Sequence, residues 1–192
     1  FRRVLFRSEL AQRMIAAGSP NDKFLRQIFA SMDITAPLFW WKEMDTYKVA
    51  TTANSTSTMH KLSTTPITLD CFEIGDMPPI DENLEVSYDG YGDGSLSTQS
   101  VFNEPLTFIR YLEGLRKKYL ETKDIRYWKE LIRWLPESWL QTRTWTANYD
   151  TLRRIYYWRK DHKLVEWHKF CDWIKSLPYA NDLIIFDKNT KI

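Results

Sequence analysis

Between Trp40 and His60 the sequence reads WWKEMDTYKVATTANSTSTMH, an aromatic start that gives way to a run built almost wholly of Thr, Ser, Asn and Ala. Such a run offers hydroxyls, side-chain amides and backbone N–H groups with almost no charge, which is chemistry suited to a pyrimidine ring or a phosphate ester. It marks a ligand-facing hinge of the fold. Further along, Arg159 shares an apolar helical stripe with Leu152, Ile155 and Tyr156, and a half-buried guanidinium there requires an anion or a carboxylate. Arg153, Arg154 and Lys163 read instead as the solvated face of a helix. Cys71 and Cys171 stand alone, with no CxxC and no His/Cys cluster at metal-ligand spacing, so no metal site is expected. Asp89–Gly94, DGYGDG, opens like a calcium loop, but Tyr91 takes a ligand position and Ser100 stands where the bidentate Glu belongs.

The elements that must position these residues follow from periodicity and punctuation. Ser8 or Glu9 to Ala17 has helical spacing, with Leu10, Met14 and Ile15 on one face and Gly18 as the stop. After the GSPND turn, Phe24 to Ile34 reads as a strand. Thr35 and Pro37 then suit the cap and first turn of a helix that brings Trp40, Trp41 and Met44 to one side. Ser63 to Phe72 reads as a strand or extended arm. From Leu69 to Asn103 there are eight acids, no Lys or Arg and four glycines, the composition of a long acidic loop. Asn103 and Asp124 are positioned to cap two helices, the second ended by Pro136. WLQTRTWTAN, Trp139 to Asn148, alternates as a strand, with Leu140, Thr142, Thr144 and Thr146 on one face. Two helices follow, Tyr149 to Lys160 and Leu164 to Ser176, and LIIF near the end has the form of a short edge strand.

Phe1 to Ser8, FRRVLFRS, matches the translation of a common sequencing-adapter oligonucleotide and is set aside as foreign, which implies that the natural start is missing. Without its three arginines the balance becomes 24 basic against 25 acidic residues, so charge gives no support to nucleic-acid binding. A chain of 192 residues, 43% hydrophobic and 15% aromatic, suits one packed domain over residues 9–192. No apolar run approaches the roughly 20 residues of a membrane span, and two isolated thiols suit a cytoplasmic protein.

Two separated stretches together resemble the flavin-dependent thymidylate synthases. That family's signature runs Arg-His-Arg, two residues, Ser, one residue, Asn-Glu, one residue, Ser, one residue, Arg-Tyr. Laid without a gap on Tyr47 to His60, it meets Thr52 at the first Ser, Asn54 at the Asn, Ser57 at the second Ser and His60 at the closing aromatic. The second stretch repeats the family's order of Leu-Pro, Thr-rich strand, Asn and helix as Leu135-Pro136, Thr142 to Thr146, Asn148, Leu152, Arg159, His162 and Glu166. GSPND resembles the family's early Ser-Pro turn, with Lys23 where a His is usual.

The resemblance implies an α+β fold with a small mixed or antiparallel sheet packed with helices, and a homotetramer with active sites between subunits. It implies methylation of a pyrimidine deoxynucleotide such as dUMP, with reduced FAD supplying the hydride, methylenetetrahydrofolate the carbon, NADPH as co-substrate, and no enzyme thiol. On this sequence it gives Arg159 the catalytic role beside the pyrimidine ring. Ser55, Thr56 and Ser57 take the substrate phosphate, Asn54 and Asn148 match flavin-site positions, and Lys48 and Arg154 are the neighbouring cations expected to compensate at the flavin phosphates. The departures concentrate on functional positions. Tyr47, Lys48 and Val49 replace Arg-His-Arg, Ser55 the Glu, Met59 an Arg, Asp150 an Arg, and Leu164 a Gln. These losses leave open a homologue that keeps the fold for nucleotide binding or assembly without the chemistry.

Overall fold

Residues 8–75 and 98–187 are described in the structure, a computed structural model. The chain forms two compact units, one made of Phe1–Thr35, Trp40–Ser55 and Thr142–Ile192, the other of Ala36–Phe39 and Thr56–Gln141.

The first unit is organised on a three-stranded sheet in the order β1-β3-β2, where β1 is Phe29–Pro37, β2 is Thr51–Ser55 and β3 is Leu140–Asn148. β2 runs antiparallel to β3 with Thr52 opposite Thr146 and Asn54 opposite Thr144. Hydroxyl contacts between β1 and β3 step in opposite directions, Ser31 with Thr146 at 2.7 Å and Thr35 with Thr142 at 2.8 Å, and between them Thr144 donates to Asp33. The Thr-bearing face expected of β3 is therefore one face of an antiparallel sheet, covered by Ser, Thr, Asp and Asn. The opposite face supplies Ile34, Trp145 and Ala147 to the core.

Helices complete that core. α2, Leu38–Met44, buries Trp40, Trp41 and Met44 as its spacing predicts. Trp40 lies 5.0 Å from the Trp41 ring, 4.9 Å from Trp167 and 5.8 Å from Phe170 in tilted and edge-on contacts. α6, Tyr149–Arg159, inserts Leu152 and Ile155, and α7, Val165–Ser176, inserts Trp167, Phe170, Cys171 and Ile174. α1, Ser8–Ala17, ends at Gly18, whose φ of 70° is the left-handed conformation that glycine adopts without a Cβ penalty. Of the expected face of Leu10, Met14 and Ile15, Ile15 is buried, with Ala11 beside it, while Leu10 is exposed, so the inward stripe is rotated away from Leu10.

The second unit packs α3, Thr58–Thr64, with α4, Thr98–Thr122, and α5, Ile125–Arg133. Leu62, Ile67, Phe72, Leu112, Leu131 and Trp139 form its core. Phe72 bridges to Trp139, and Glu73 N–H donates to Ser138 O at 2.7 Å. Asp124 caps α5 as predicted by accepting from Arg126 N–H at 2.9 Å.

Several expectations are corrected. The proposed Phe24–Ile34 strand begins as a 3-10 helix, Asn21–Gln27, because Leu25 turns fully inward; β1 starts only at Phe29. Thr35 and Pro37 end that strand and do not cap or open α2, which begins at Leu38. Ser63–Phe72 is not an extended arm, since α3 reaches Thr64 and a 3-10 turn covers Leu69–Cys71. Asn103 is no cap, because α4 begins five residues earlier, and residues 76–97 of the expected acidic loop lie outside the described residues. The calcium-like Asp89–Gly94 lies outside the described residues. LIIF is no edge strand: α8, Ala180–Leu183, takes its first residue, and Leu183 and Ile184 are fully buried, as a short apolar run can be in either kind of element. Among the described residues no helix is long and apolar enough to cross a membrane.

Candidate functional site

The junction of β3 and α6 is fixed by Asn148. Its Oδ1 accepts from Thr151 N–H at 2.9 Å, which caps α6, and its Nδ2 donates to Arg26 O at 3.4 Å. Thr151 Oγ1 in turn donates to Val49 O at 3.0 Å and ties the start of α6 to the chain just ahead of β2. Asn148 is buried, and its amide holds backbone in place.

One cap and a regular helix of eleven residues then set Arg159 at the far end of α6, below Leu152 and Ile155 on the buried stripe. Arg159 Nε donates to Tyr47 Oη at 2.8 Å, and Nη1 donates to Glu43 Oε2 at 2.7 Å. The guanidinium lies 4.5 Å from the Trp167 ring centroid and 5.6 Å from that of Tyr47, which adds cation–π attraction from two faces. Glu43 Oε2 also accepts from Trp167 Nε1 at 2.9 Å. His162 Nε2 lies 3.6 Å from the same oxygen, and His162 Nδ1 accepts from Leu164 N–H at 3.2 Å. That second bond assigns the proton of a neutral His162 ring to Nε2, facing Glu43.

The predicted need of Arg159 for an anionic partner is thus met inside the chain, by Glu43. Side-chain exposure is 18% for Arg159 and 34% for Glu43, so the pair is half-buried and its two charges cancel locally. Trp158 is exposed on the preceding position of α6, and its ring centre is 6.4 Å from that of Tyr47. The arrangement presents a neutralised cation, a carboxylate, an imidazole N–H and aromatic faces at one place in the first unit. It suits recognition of a flat polar ring better than capture of a free anion.

The other expected residues are dispersed. Lys48 is exposed, and Asn54 and Ser55 are exposed on β2, opposite Thr144 and Arg143. Arg143 donates to Asp45 at 2.7 Å and lies 4.3 Å over the Trp41 ring. Thr56 and Ser57 belong to the second unit, where Ser57 holds the N-cap position of α3 without a side-chain cap bond. Arg154 pairs with Asp150 one turn earlier at 3.1 Å, and Asp150 also receives Arg26 at 3.3 Å. Asp150, where the resembled family has an arginine, therefore anchors two arginines beside the start of α6. None of Lys48, Asn54, Ser55 or Arg154 shares a hydrogen bond with Arg159. Sequence reasoning missed Glu43; its one signal was an acid that, with Lys42, interrupts an aromatic and apolar helix a turn ahead of Tyr47. Among the described residues no group of three His, Cys, Asp or Glu is placed to hold a metal ion.

No protein-family model and no curated protein matches the chain. Solved structures do match in fold. A flavin-dependent thymidylate synthase ThyX from Helicobacter pylori, complexed with FAD and dUMP, is similar at a TM-score of 0.58 and 15% identity, over 93% of this chain and 81% of that one. A second ThyX structure from the same organism, with FAD and dUMP, gives 0.59 and 16% over 96% and 83%. A UMP/dUMP methylase PolB from Streptomyces cacaoi, bound with 5-Br dUMP, gives 0.55 and 15% over the same shares. The fold is α+β and like that of the flavin-dependent thymidylate synthases, with a small antiparallel sheet.

Proposed function

We propose that this protein binds a pyrimidine deoxynucleotide such as dUMP together with FAD, and methylates the ring or modifies it at the same carbon. The observation that carries the reading is Arg159, held half-buried by Glu43 and Tyr47 on a fold otherwise seen with FAD and dUMP. Reduced FAD, when bound, supplies the hydride, and methylenetetrahydrofolate supplies the carbon. The chain's own part is positioning. Arg159 sits beside the pyrimidine ring and stabilises negative charge as N3 loses its proton. Ser55, in the same unit, offers its hydroxyl and backbone N–H to the phosphate.

The flavin contacts are partly rebuilt. Asp150 removes a cation from the family's set but anchors Arg26 and Arg154, so positive charge remains beside the start of α6. Lys48 and Asn54 are exposed and face flavin phosphate or ring atoms in this reading, Arg154 contributes charge from its pairing with Asp150, and Asn148 acts by fixing the first turn of α6. Assembly as a homotetramer belongs to the same proposal and is read by light scattering. A second reading, a homologue that binds or assembles without chemistry, is favoured by one observation: Arg159 and Asn148 already have partners within the chain.

The deciding experiment is the visible absorption spectrum of the purified protein mixed with FAD, before and after dUMP. The enzyme reading expects a bound flavin band that shifts when dUMP is added. A colourless protein that leaves FAD free and takes up dUMP supports the second reading.

A further inference from the structure

Glu43 and Arg159 are joined by a single hydrogen bond, between Oε2 and Nη1, and each keeps capacity that nothing else uses. Oε2 serves Arg159, Trp167 and, at longer range, His162, whereas Glu43 Oε1 has no partner among the described residues. Arg159 spends Nε on Tyr47 and one Nη1 proton on Glu43, leaving the two N–H donors of Nη2 and one of Nη1. Both side chains remain partly open to solvent. What the pair offers a ligand is therefore one acceptor and adjacent donors at zero net charge.

We propose that Glu43 and Arg159 together read the neutral donor–acceptor edge of a ring, an N–H beside a carbonyl, with Glu43 as the specificity-determining residue. For a uracil ring N3–H would donate to Glu43 Oε1 and the O4 carbonyl would accept from Arg159. A free phosphate is a poor match, because it would have to lie beside the Glu43 carboxylate with no proton to give it. The ring is read in its neutral form as it binds; when N3 loses its proton in the proposed reaction, Arg159 is the cation beside it. The exposed Trp158 ring, close to Tyr47, adds a flat apolar surface for the base. The assignment rests on the nucleotide reading above and deepens it: Arg159 is a ring contact and not a phosphate contact, and the acid absent from the sequence-level site sets which ring is accepted.

Tryptophan fluorescence titrations with dUMP, deoxyuridine, N3-methyldeoxyuridine and inorganic phosphate test it. The wild-type protein is expected to bind deoxyuridine, to bind the N3-methyl analogue at least about tenfold more weakly, and to release neither to phosphate, since a lost N–H leaves a carboxylate oxygen unpaired. Glu43→Ala, checked for folding by circular dichroism, is expected to lose the discrimination between the two nucleosides and to gain phosphate binding at the uncovered Arg159. Equal binding of both nucleosides to the wild-type protein overturns the assignment, while dUMP binding leaves the nucleotide reading standing. Displacement of deoxyuridine by phosphate also overturns it, by making Arg159 an anion seat. Failure of dUMP and deoxyuridine alike to bind overturns both.

Discussion

Arg159 and Arg153 lie six positions apart on one helix and do different work. Arg153 Nη1 donates to Ile184 O at 2.6 Å, and its guanidinium lies 4.9 Å from the Tyr157 ring, so it ties α6 to the segment after α8. Arg153→Ala is expected to lower stability by about 1–3 kcal/mol, the range for a charged donor lost from a carbonyl, with little effect on dUMP affinity. Arg159→Ala is expected to weaken dUMP about tenfold or more by removing a charged contact to the ligand. Thermal melts and fluorescence titrations of both variants separate the two roles, and equal losses of affinity would remove the reason for singling out Arg159. Asn148→Ala, which deletes the α6 cap, is expected to cost about 1 kcal/mol, in the range measured for such caps. Arg159 was legible in the sequence because its stripe is local, set by Leu152, Ile155 and Tyr156. Its partner was not legible, because Glu43 is 116 positions away and meets it only through the packing of α2 on α6 and α7.

Among the elements, α4 is joined to α3 by a device that periodicity does not show. Arg116, buried on α4, donates from Nε and Nη2 to the two oxygens of Glu113, both at 2.7 Å, and from Nη1 to Ser63 O at 3.5 Å. Glu113 also accepts from Ile67 N–H at 2.9 Å, so one fork fixes the end of α3 and the chain that leaves it. Removing one partner strands the other charge, and Arg116→Ala is expected to destabilise by about 3 kcal/mol. The Arg116 hydrogen bonds hold the Glu113 carboxyl below its ordinary value of 4.5. Because the folded value is the lower one, this stabilisation is complete above pH 4.5 and drains away as pH falls through the folded value. Urea midpoints between pH 3 and 6 should therefore fall more steeply for the wild-type protein than for Arg116→Ala. Asp124 was readable as a cap because its motif is local, whereas Asn148, read only as a flavin contact, turned out to cap α6. The fate of LIIF was not readable, since it is decided by what covers its apolar residues.

Across the whole chain, the two units interleave in sequence, and each carries one cysteine, Cys71 in the second and Cys171 in the first. Both are free thiols. The sequence showed them isolated; what it could not show is how differently they are held. Cys171 is buried on α7, and burial pushes its thiol up to about 11. At pH 8 only about one part in a thousand is then thiolate, the reactive form, and that fraction is shielded by core packing. Cys71 is partly exposed in the 3-10 turn, with its Sγ 3.8 Å from Pro66 O. Titration with a coloured aromatic disulfide reagent should therefore find one fast thiol in the native protein and a second only on unfolding. Alkylation followed by peptide mapping assigns the fast thiol to Cys71. If Cys171 reacts equally fast without denaturant, α7 opens on the timescale of the reaction. The packing of Trp167 over Arg159 would then be transient, and with it the neutralised pair on which ring recognition depends.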